Sequence, residues 1–388
     1  MKINKKLFVL PVACIALACT VGCSQKSYAV YTNIPQGGYE IIDKNYKLTG
    51  EISGYTKPEK EFTEVDTSAY TSKRRLYYSM MSDAELVVSA DFSAAGAEDK
   101  FTAFAHEVGG TLNAIDSALS TSVANSDITL FNEAAPGAQI EIREITYEVL
   151  GLALSVNAKT GGYYNPALYY NIYAYGFGGA HNYPQNKSEL PSDEVIEKYT
   201  ALATHFGEIT LSEAAGKYYA LKPTATVEVG GETLSLKLDL GGIGKGYAVD
   251  KVDELFDEYG YKYGHFNFAA SSMLVKSNLL QGEYEIRFGS PRSPSRDPYF
   301  SVFARNEKLS TSGDNEQKYI IDGTRYCHII DPTTGKPVQT GIMSATVIGG
   351  SAAEADALTT AIMAMGKERA VQFIETELKD KRVFFCCE

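Results

Sequence analysis

The segment that most limits the fold is an alternating apolar stretch, residues 233–240, which leads directly into a glycine-rich stretch, residues 239–250. Leucine occupies every second position from Leu234 to Leu240, a spacing that predicts a strand with one buried face. The glycine-rich stretch has the sequence D-L-G-G-I-G-K-G-Y-A-V-D, and residues 247–259 then show helical spacing of apolar side chains. The pattern predicts a strand, a glycine-rich loop and a helix in succession.

A glycine-rich loop that opens a helix suits an anion, because backbone N–H groups can approach it closely and the helix N-terminus favours negative charge. Lys245 adds a cation at the same place. The arrangement suits a pyrophosphate, but it is not a Walker A loop, since neither Ser nor Thr follows the lysine. A glycine-rich turn can also be purely structural, and this segment alone leaves both interpretations open.

The rest of the chain alternates helical and extended patterns, which predicts a mixed α+β domain. Its 388 residues, 44% of them hydrophobic, supply ample material for a core. The formal net charge of -12 argues against nucleic acid as a partner, because phosphate backbones would repel the chain. The predicted elements are helices over residues 97–119, 142–160 and 353–365, strands over 85–90, 344–348 and 382–387, and a hairpin over 318–330 that turns at Asp322 and Gly323.

The N-terminus has the pattern of an export signal. Three lysines precede an apolar run over residues 7–18, which is too short for a membrane span. Cys19 and Cys23 each follow a small residue, as in the lipobox of bacterial lipoproteins, and the polar residues after Cys23 favour it. We expect a lipoprotein signal over residues 1–23, a tether over residues 24–75, and an extracytoplasmic location with a lipid anchor in the cell membrane. A plain secretory signal is the alternative.

The remaining cysteines do not indicate a metal or disulfide site. Cys327, Cys386 and Cys387 include no CxxC pair and form no even, spaced set. The sequence therefore predicts neither a zinc site nor a disulfide framework.

Two further segments carry candidate chemistry. His328 ends a predicted strand just before a turn, where an imidazole can reach a ligand and move a proton near neutral pH. Asp356 and Thr360 lie four positions apart on a predicted helix, so both side chains project from one face and can hold a hard cation such as Mg²⁺. The structural alternatives are a polar residue at a strand end, with Asp331 capping the turn, and an aspartate that complements the helix dipole.

These segments, in this order, resemble the ApbE family of FAD:protein FMN transferases. The family pattern Asp-Leu-Gly-Gly-Ile-Ala-Lys-Gly-Tyr-Ala-Val-Asp is found here with Gly244 in place of the alanine. The family's His-Ile-Ile-Asp-Pro-x-Thr-Gly-x-Pro matches residues 328–337, and its Ala-Asp-Ala-Leu-x-Thr-Ala helix matches residues 355–361. A Thr-Ser-Gly-Asp stretch matches residues 311–314. The similarity covers residues 76–388, which we expect to form one ApbE-like domain.

The resemblance implies a site and a role for each matching residue. It implies that FAD binds with Mg²⁺ on its pyrophosphate and that His328 is the general base. The implied metal ligands are Asp356, Thr360 and the main-chain carbonyl of Gly242. The implied contacts to the dinucleotide are Gly241, Gly242, Lys245, Asp250, Asp314, His328 and Asp331.

The implied reaction is Mg²⁺-dependent transfer of FMN from FAD to a Thr or Ser hydroxyl of an exported flavoprotein, with release of AMP. Two alternatives fit the same residues. One is an FAD pyrophosphatase, in which water replaces the hydroxyl, and the other is a lipoprotein that binds FAD without catalysis. A requirement for an acceptor protein would separate transfer from hydrolysis.

Overall fold

The computed structural model describes residues 68–178, 189–279, 282–289, 291–292, 301–315 and 317–387, together with the backbone of residues 10–12, 29–34, 38–42 and 298–300. None of the helices in these ranges is long and apolar enough to span a membrane. Cys19 and Cys23, the predicted lipidation sites, lie outside the described residues. The helices are α1 Ala97–Leu119, α2 Asp127–Glu133, α3 Glu144–Lys159, α4 Tyr169–Ala174, α5 Asp193–Ala203, α6 Gly241–Glu258, α7 Ala352–Met365 and α8 Lys367–Glu377.

The strands form one large sheet and several small ones. The strands are β1 Leu10–Val12, β2 Ala29–Ile34, β3 Gly38–Ile42, β4 Thr71–Ser79, β5 Ser82–Ala90, β6 Gln139–Ile142, β7 Thr210–Ala214, β8 Lys217–Leu221, β9 Thr226–Val229, β10 Glu232–Ser235, β11 Gly264–Phe268, β12 Ser272–Val275, β13 Tyr284–Gly289, β14 Pro298–Ala304, β15 Glu307–Gly313, β16 Lys318–Ile321, β17 Thr324–Cys327, β18 Ile342–Ile348 and β19 Arg382–Cys387. The large sheet is antiparallel, with the order β3-β2-β19-β18-β15-β12-β11-β5-β4.

Both faces of the large sheet are covered. Helices α1, α6 and α7 pack on one face and bury the main core, while β13 and β14 cover part of the other face. The interior strand β18 is buried along its whole length, and Val347 and Ile348 belong to the two opposite cores. The architecture confirms the predicted α+β class. The smaller units are the sheet β6-β8-β7, the hairpins β9-β10 and β16-β17, and the sheet β1-β13-β14.

Most elements agree with the sequence patterns. Helix α1 and strand β19 have the predicted bounds, and the β16-β17 hairpin turns at Asp322 and Gly323, whose φ angles of 49° and 79° suit the predicted type I′ turn. Strands β2 and β3, which lie within the predicted tether, pair with the large sheet beside β19.

The predicted strand over residues 233–240 is shorter in the structure. Strand β10 ends at Ser235, although Leu236, Leu238 and Leu240 are buried as the alternation predicts. The reason is that a side chain replaces a neighbouring strand. Asn132 accepts the Leu238 N–H at 2.7 Å and donates to the Leu238 carbonyl at 2.9 Å, so the backbone there is paired without a ladder.

The glycine-rich stretch was expected to be a loop, and this prediction is wrong. Helix α6 begins at Gly241, so the glycines form its first turns, with a departure from helical φ and ψ at Gly242. Asp239 Oδ1 accepts the Gly241 N–H at 2.8 Å, which satisfies one of the N–H groups that a helix leaves unpaired at its start. The glycines therefore do not form a loop, and instead allow α6 to pack closely against its neighbours.

Candidate active site

A cavity of about 480 Å³ lies where the start of α6 meets α7, the β4-β5 turn and the segment that follows β17. Its volume is within the ordinary range of small-molecule sites. The fold brings together in its walls residues that lie far apart in the chain. Six of the predicted site residues line it, namely Gly241, Gly242, Lys245, His328, Asp356 and Thr360.

Asp356 is positioned by the contact between α6 and α7. Its side chain is only 3% exposed, and Oδ2 accepts the Gly246 N–H at 3.1 Å. A methyl group on Gly246 would lie 2.2 Å from the carbonyl oxygen of Ala352, so only glycine permits this approach of the two helices. The sequence pattern of small residues on both helices therefore fixes the carboxylate at the wall of the cavity.

The three predicted metal ligands lie close together. Thr360 follows Asp356 by about one helical turn, and a methyl group on Gly242 would lie 3.3 Å from Thr360 Oγ1. No group of three or more His, Cys, Asp or Glu side chains suited to a metal occurs in the described part of the chain. The candidate set is therefore one carboxylate, one hydroxyl and a backbone carbonyl. Oxygen donors of this kind suit Mg²⁺ or Ca²⁺ rather than a softer ion.

Tyr164 and Asp239 also line this part of the cavity, although neither was predicted as a site residue. The hydroxyl of Tyr164 is buried and has no hydrogen-bond partner among the described residues. Burial, with Asp356 and Asp239 nearby, raises the pKa of Tyr164 well above its usual range, so its phenol stays protonated. Burial also raises the pKa of Asp239. An unpaired buried donor beside two carboxylates is unusual in a folded protein and marks the cavity as a place for a polar ligand.

His328 directly follows β17, and its backbone N–H donates to the Gln317 carbonyl at 3.1 Å. Burial and the nearby Lys245 lower the pKa of His328 to about 4, so the imidazole is neutral at pH 7. The ring Nδ1 has no partner within the described ranges. A neutral imidazole with an unpaired nitrogen at a cavity can accept a proton.

Asp250 does not line the cavity, although the resemblance implied a ligand contact. It accepts hydrogen bonds from Ser351 Oγ and from the N–H groups of Ala352 and Ala353 at 2.6–2.9 Å, and it pairs with Lys308. Its carboxylate satisfies the N–H groups at the start of α7. The structure therefore assigns Asp250 a structural role, that of holding the helix that carries Asp356.

Asp314 and Asp331 also lie outside the cavity wall. Asp314 forms a bidentate ion pair with Arg292, in which Nη1 of the arginine donates to Oδ1 of the aspartate at 2.6 Å and Nη2 donates to Oδ2. Asp331 Oδ1 accepts the Thr333 N–H at 2.8 Å and closes the turn after His328, as the structural alternative predicted. Their carboxylates are engaged within the protein, which does not support the ligand contacts expected of them.

Other cavity residues gave no signal of their own in the sequence. Asp239 lies in the glycine-rich stretch, but nothing in that stretch indicates that its side chain reaches a cavity beside an unpaired tyrosine hydroxyl. The further unpredicted lining residues include Met80, Met81, Asp116 and Phe177, whereas Thr311 and Ser312 belong to the matching Thr-Ser-Gly-Asp stretch.

The fold and the cavity together define an α+β domain with a candidate active site, in which an imidazole, a lysine, a carboxylate and a hydroxyl converge. Comparisons with known proteins agree. The model of the ApbE family matches residues 80–385. The chain belongs to the ApbE family, and it is a transferase.

Curated relatives have the name FAD:protein FMN transferase. That of Escherichia coli (strain K12) is 27% identical over 269 residues, which are 69% of this chain and 72% of the relative. That of Treponema pallidum (strain Nichols) is 28% identical over 268 residues, which are 65% of this chain and 68% of the relative.

Solved structures share the fold. The flavin transferase ApbE from Vibrio cholerae superposes with a TM-score of 0.63 at 23% identity, covering 81% of this chain and 93% of that one. The ApbE protein from Thermotoga maritima superposes with a TM-score of 0.67 at 23% identity, with the same coverage of both chains.

Proposed function

We propose that this chain transfers the FMN half of FAD to a Thr or Ser hydroxyl of an acceptor protein and releases AMP. The observation that carries the proposal is the convergence of His328, Lys245 and Asp356 on one cavity in a member of the ApbE family. The names of the curated relatives support FAD as the donor and a protein as the acceptor.

His328 serves as the general base in this proposal. Its Nδ1 has no partner among the described residues, and its low pKa keeps the imidazole unprotonated at pH 7. The acceptor hydroxyl gives its proton to the imidazole while its oxygen forms a bond to the FMN phosphorus. The bond from that phosphorus to the bridging oxygen breaks, and AMP leaves with the electron pair. General base catalysis of this kind is worth about 10²- to 10⁴-fold.

Lys245 and the start of α6 hold the pyrophosphate. Lys245 lies in the cavity wall one turn into the helix, beside the exposed Gly241. The positive end of the helix dipole and the ammonium group both favour an anion there. Their contribution is to orient the two phosphates so that the hydroxyl approaches in line with the leaving oxygen.

We propose Mg²⁺ as the resident metal, held by Asp356, Thr360 and the carbonyl of Gly242. The residues present fit a hard cation, because oxygen donors lie together and because the cavity wall is acidic. The cavity lining contains three aspartates, Asp116, Asp239 and Asp356, but only one lysine. An anionic substrate therefore requires a further positive charge there. The metal would neutralise charge that develops on the pyrophosphate.

We further propose that the chain acts outside the cytoplasm, anchored by a lipid on Cys23 or Cys19. The basic, apolar and small-residue pattern of residues 1–23 supports this location. Cleavage before Cys23 would remove β1 and leave β2 and β3 on the large sheet. Exported flavoproteins would then be the acceptors within reach.

The test incubates the chain with FAD, Mg²⁺ and a candidate acceptor domain, and measures intact acceptor mass and AMP. We expect an acceptor mass gain equal to one phosphoester-linked FMN, an equal amount of AMP, and loss of both with EDTA. His328→Ala is the matched control and should still bind FAD. AMP without any acceptor adduct would contradict transfer and favour the pyrophosphatase.

A further inference from the structure

Strand β4 is the last strand of the large sheet, and among the described residues only β5 pairs with it. Ser79 pairs with Ser82 across a two-residue turn, so the ladder exchanges hydrogen bonds at Ser79 and at every second residue before it. Leu76 and Tyr78 lie between these positions and therefore turn their backbone N–H and C=O groups away from β5. The outer side of β4 is thus an open edge, to which a further strand can be added.

Only half of this edge carries the charges that usually protect an exposed strand. Lys73, Arg74 and Arg75 occupy its first half, and cations on an edge strand discourage pairing with other chains. The second half has no charge, and its Leu76 and Tyr78 side chains are 59% and 62% exposed. Folded proteins ordinarily avoid large apolar side chains on an open edge, because such edges aggregate, so their presence here calls for a reason.

The apolar half of the edge leads to the active-site cavity. The residues that directly follow β4, 80–82, line the cavity together with His328. Leu76 lies four residues before this turn, which is about 13 Å of extended chain. A segment that pairs with Leu76 and Tyr78 therefore reaches the cavity mouth within about four further residues.

The described residues argue against cover of the edge by the adjoining chain or by a second copy. The rings of Tyr70, just before β4, and Tyr263, which is bonded to β5, lie 5.8 Å apart, so the chain enters β4 across the end of β5 and not along the open edge. β4 has three cations and no acidic residue, so two copies paired along this edge would bring like charges together.

The charge of the edge also indicates what kind of partner it suits. Lys73 and Arg74 form ion pairs within the chain, whereas Arg75 is exposed and has no carboxylate partner in the described part of the molecule. A partner segment that carries a carboxylate would complement Arg75, and apolar side chains beside it would cover the two exposed positions that follow.

We propose that the open edge of β4 is the docking site of the acceptor protein, which adds an extended segment to the large sheet. This rests on the proposed function, because transfer requires an acceptor hydroxyl to enter the cavity from outside. The segment places apolar side chains against Leu76 and Tyr78 and a carboxylate against Arg75, and backbone hydrogen bonds to the edge hold it extended. The residue that receives FMN lies beyond the apolar end of the segment, where the cavity opens.

The test compares Leu76→Lys with Leu221→Lys in the transfer assay, with the acceptor domain that the unchanged chain labels. A lysine on an edge strand opposes pairing without disturbing the fold, and Leu221 is likewise a surface leucine, 43% exposed and outside the cavity lining. We expect the KM for the acceptor to rise about tenfold in Leu76→Lys alone, with kcat, the Kd for FAD and the melting temperature unchanged. Arg75→Glu should raise the same KM about fivefold.

An acceptor KM that Leu76→Lys leaves unchanged, or that Leu221→Lys raises equally, would overturn the docking site while the transfer function stands. A melting temperature that falls in Leu76→Lys and not in Leu221→Lys would mean that the chain itself covers the edge. A dimer of the unchanged chain that Leu76→Lys dissociates would mean that a second copy covers it, and either result would also overturn the proposal. An unchanged chain that hydrolyses FAD and labels no acceptor would refute the transfer function itself and remove the partner that the docking site requires.

Discussion

The backbone N–H of Gly246 donates to Oδ2 of Asp356 at 3.1 Å, and this bond joins the glycine-rich motif to the helix that carries the candidate metal ligands. The two residues belong to separate motifs, so their contact explains why both motifs are needed for one site. The carboxylate has its orientation set from α6 before any ligand arrives. Preorganisation of this kind lowers the cost of binding a charged group.

Gly246→Ala should destabilise the fold. Its new methyl group would lie 2.2 Å from the Ala352 oxygen and 2.7 Å from the Cα of Ala353, and backbone cannot move aside cheaply. We expect the free energy of unfolding to fall by about 3 kcal/mol in a urea titration. Gly244→Ala is the control, because its methyl group would meet only side chains at 3.6 Å or more. That variant should gain up to about 1 kcal/mol, and equal losses in both would contradict the packing argument.

Asp356→Asn should abolish metal-dependent transfer with little effect on stability. The amide oxygen can still accept the Gly246 N–H, whereas the charge that attracts the cation is lost. We expect the transfer rate to fall at least about 100-fold at fixed Mg²⁺, with an unchanged melting temperature. Normal transfer in limiting Mg²⁺ would show that the metal ligands have been assigned incorrectly.

Asp250→Ala should act on stability and not on FAD affinity. The carboxylate receives two backbone N–H groups and a hydroxyl at the start of α7, and loss of such a cap costs about 2 kcal/mol. The measurements are the free energy of unfolding and the Kd for FAD. A higher Kd for FAD with an unchanged free energy of unfolding would instead indicate that Asp250 contacts the ligand.

His265 should make the fold sensitive to acid. It is 5% exposed, neither ring nitrogen has a partner within the described residues, and burial lowers its pKa to about 4. Between pH 6.5 and 4 the unfolded chain binds a proton that the folded chain does not, so stability falls as the pH falls. The slope approaches about 1.4 kcal/mol per pH unit for this group. His265→Leu should reduce the slope in urea titrations at several pH values, and an unchanged slope would exclude this cause.

Local patterns were sufficient to predict much of the fold. Helix α1 and the turn at Asp322 and Gly323 depend on residues close together in the chain, through helical spacing and through a residue pair that favours positive φ. The end of β10 could not be predicted in this way. Its backbone is satisfied by Asn132, far away in the sequence, and only the folded chain brings that side chain to Leu238.

The candidate site was predictable where a motif supplies the chemistry and not where packing decides it. His328, Asp356 and Thr360 do line one cavity, as the motifs suggested. Asp250 lies in an equally conspicuous motif but is engaged by α7. Tyr164 became a site residue only because burial leaves its hydroxyl without a partner among the described residues, and that depends on the assembled core.

The pH dependence of transfer tests the role of His328. Since burial and Lys245 lower its pKa to about 4, the base is unprotonated at neutral pH, and kcat/KM should be level from pH 8 to 6. It should then fall as the pH drops through the pKa of His328, because the protonated ring cannot accept the hydroxyl proton.

Lys245→Met removes the neighbouring positive charge, so the inflection should move to higher pH in that variant. His328→Ala should lose about 10²- to 10⁴-fold in rate, retain FAD affinity and show no such inflection. An inflection near pH 6.5 in the unchanged chain would mean that the imidazole is solvated, and an inflection that persists in His328→Ala would assign the proton transfer to another group.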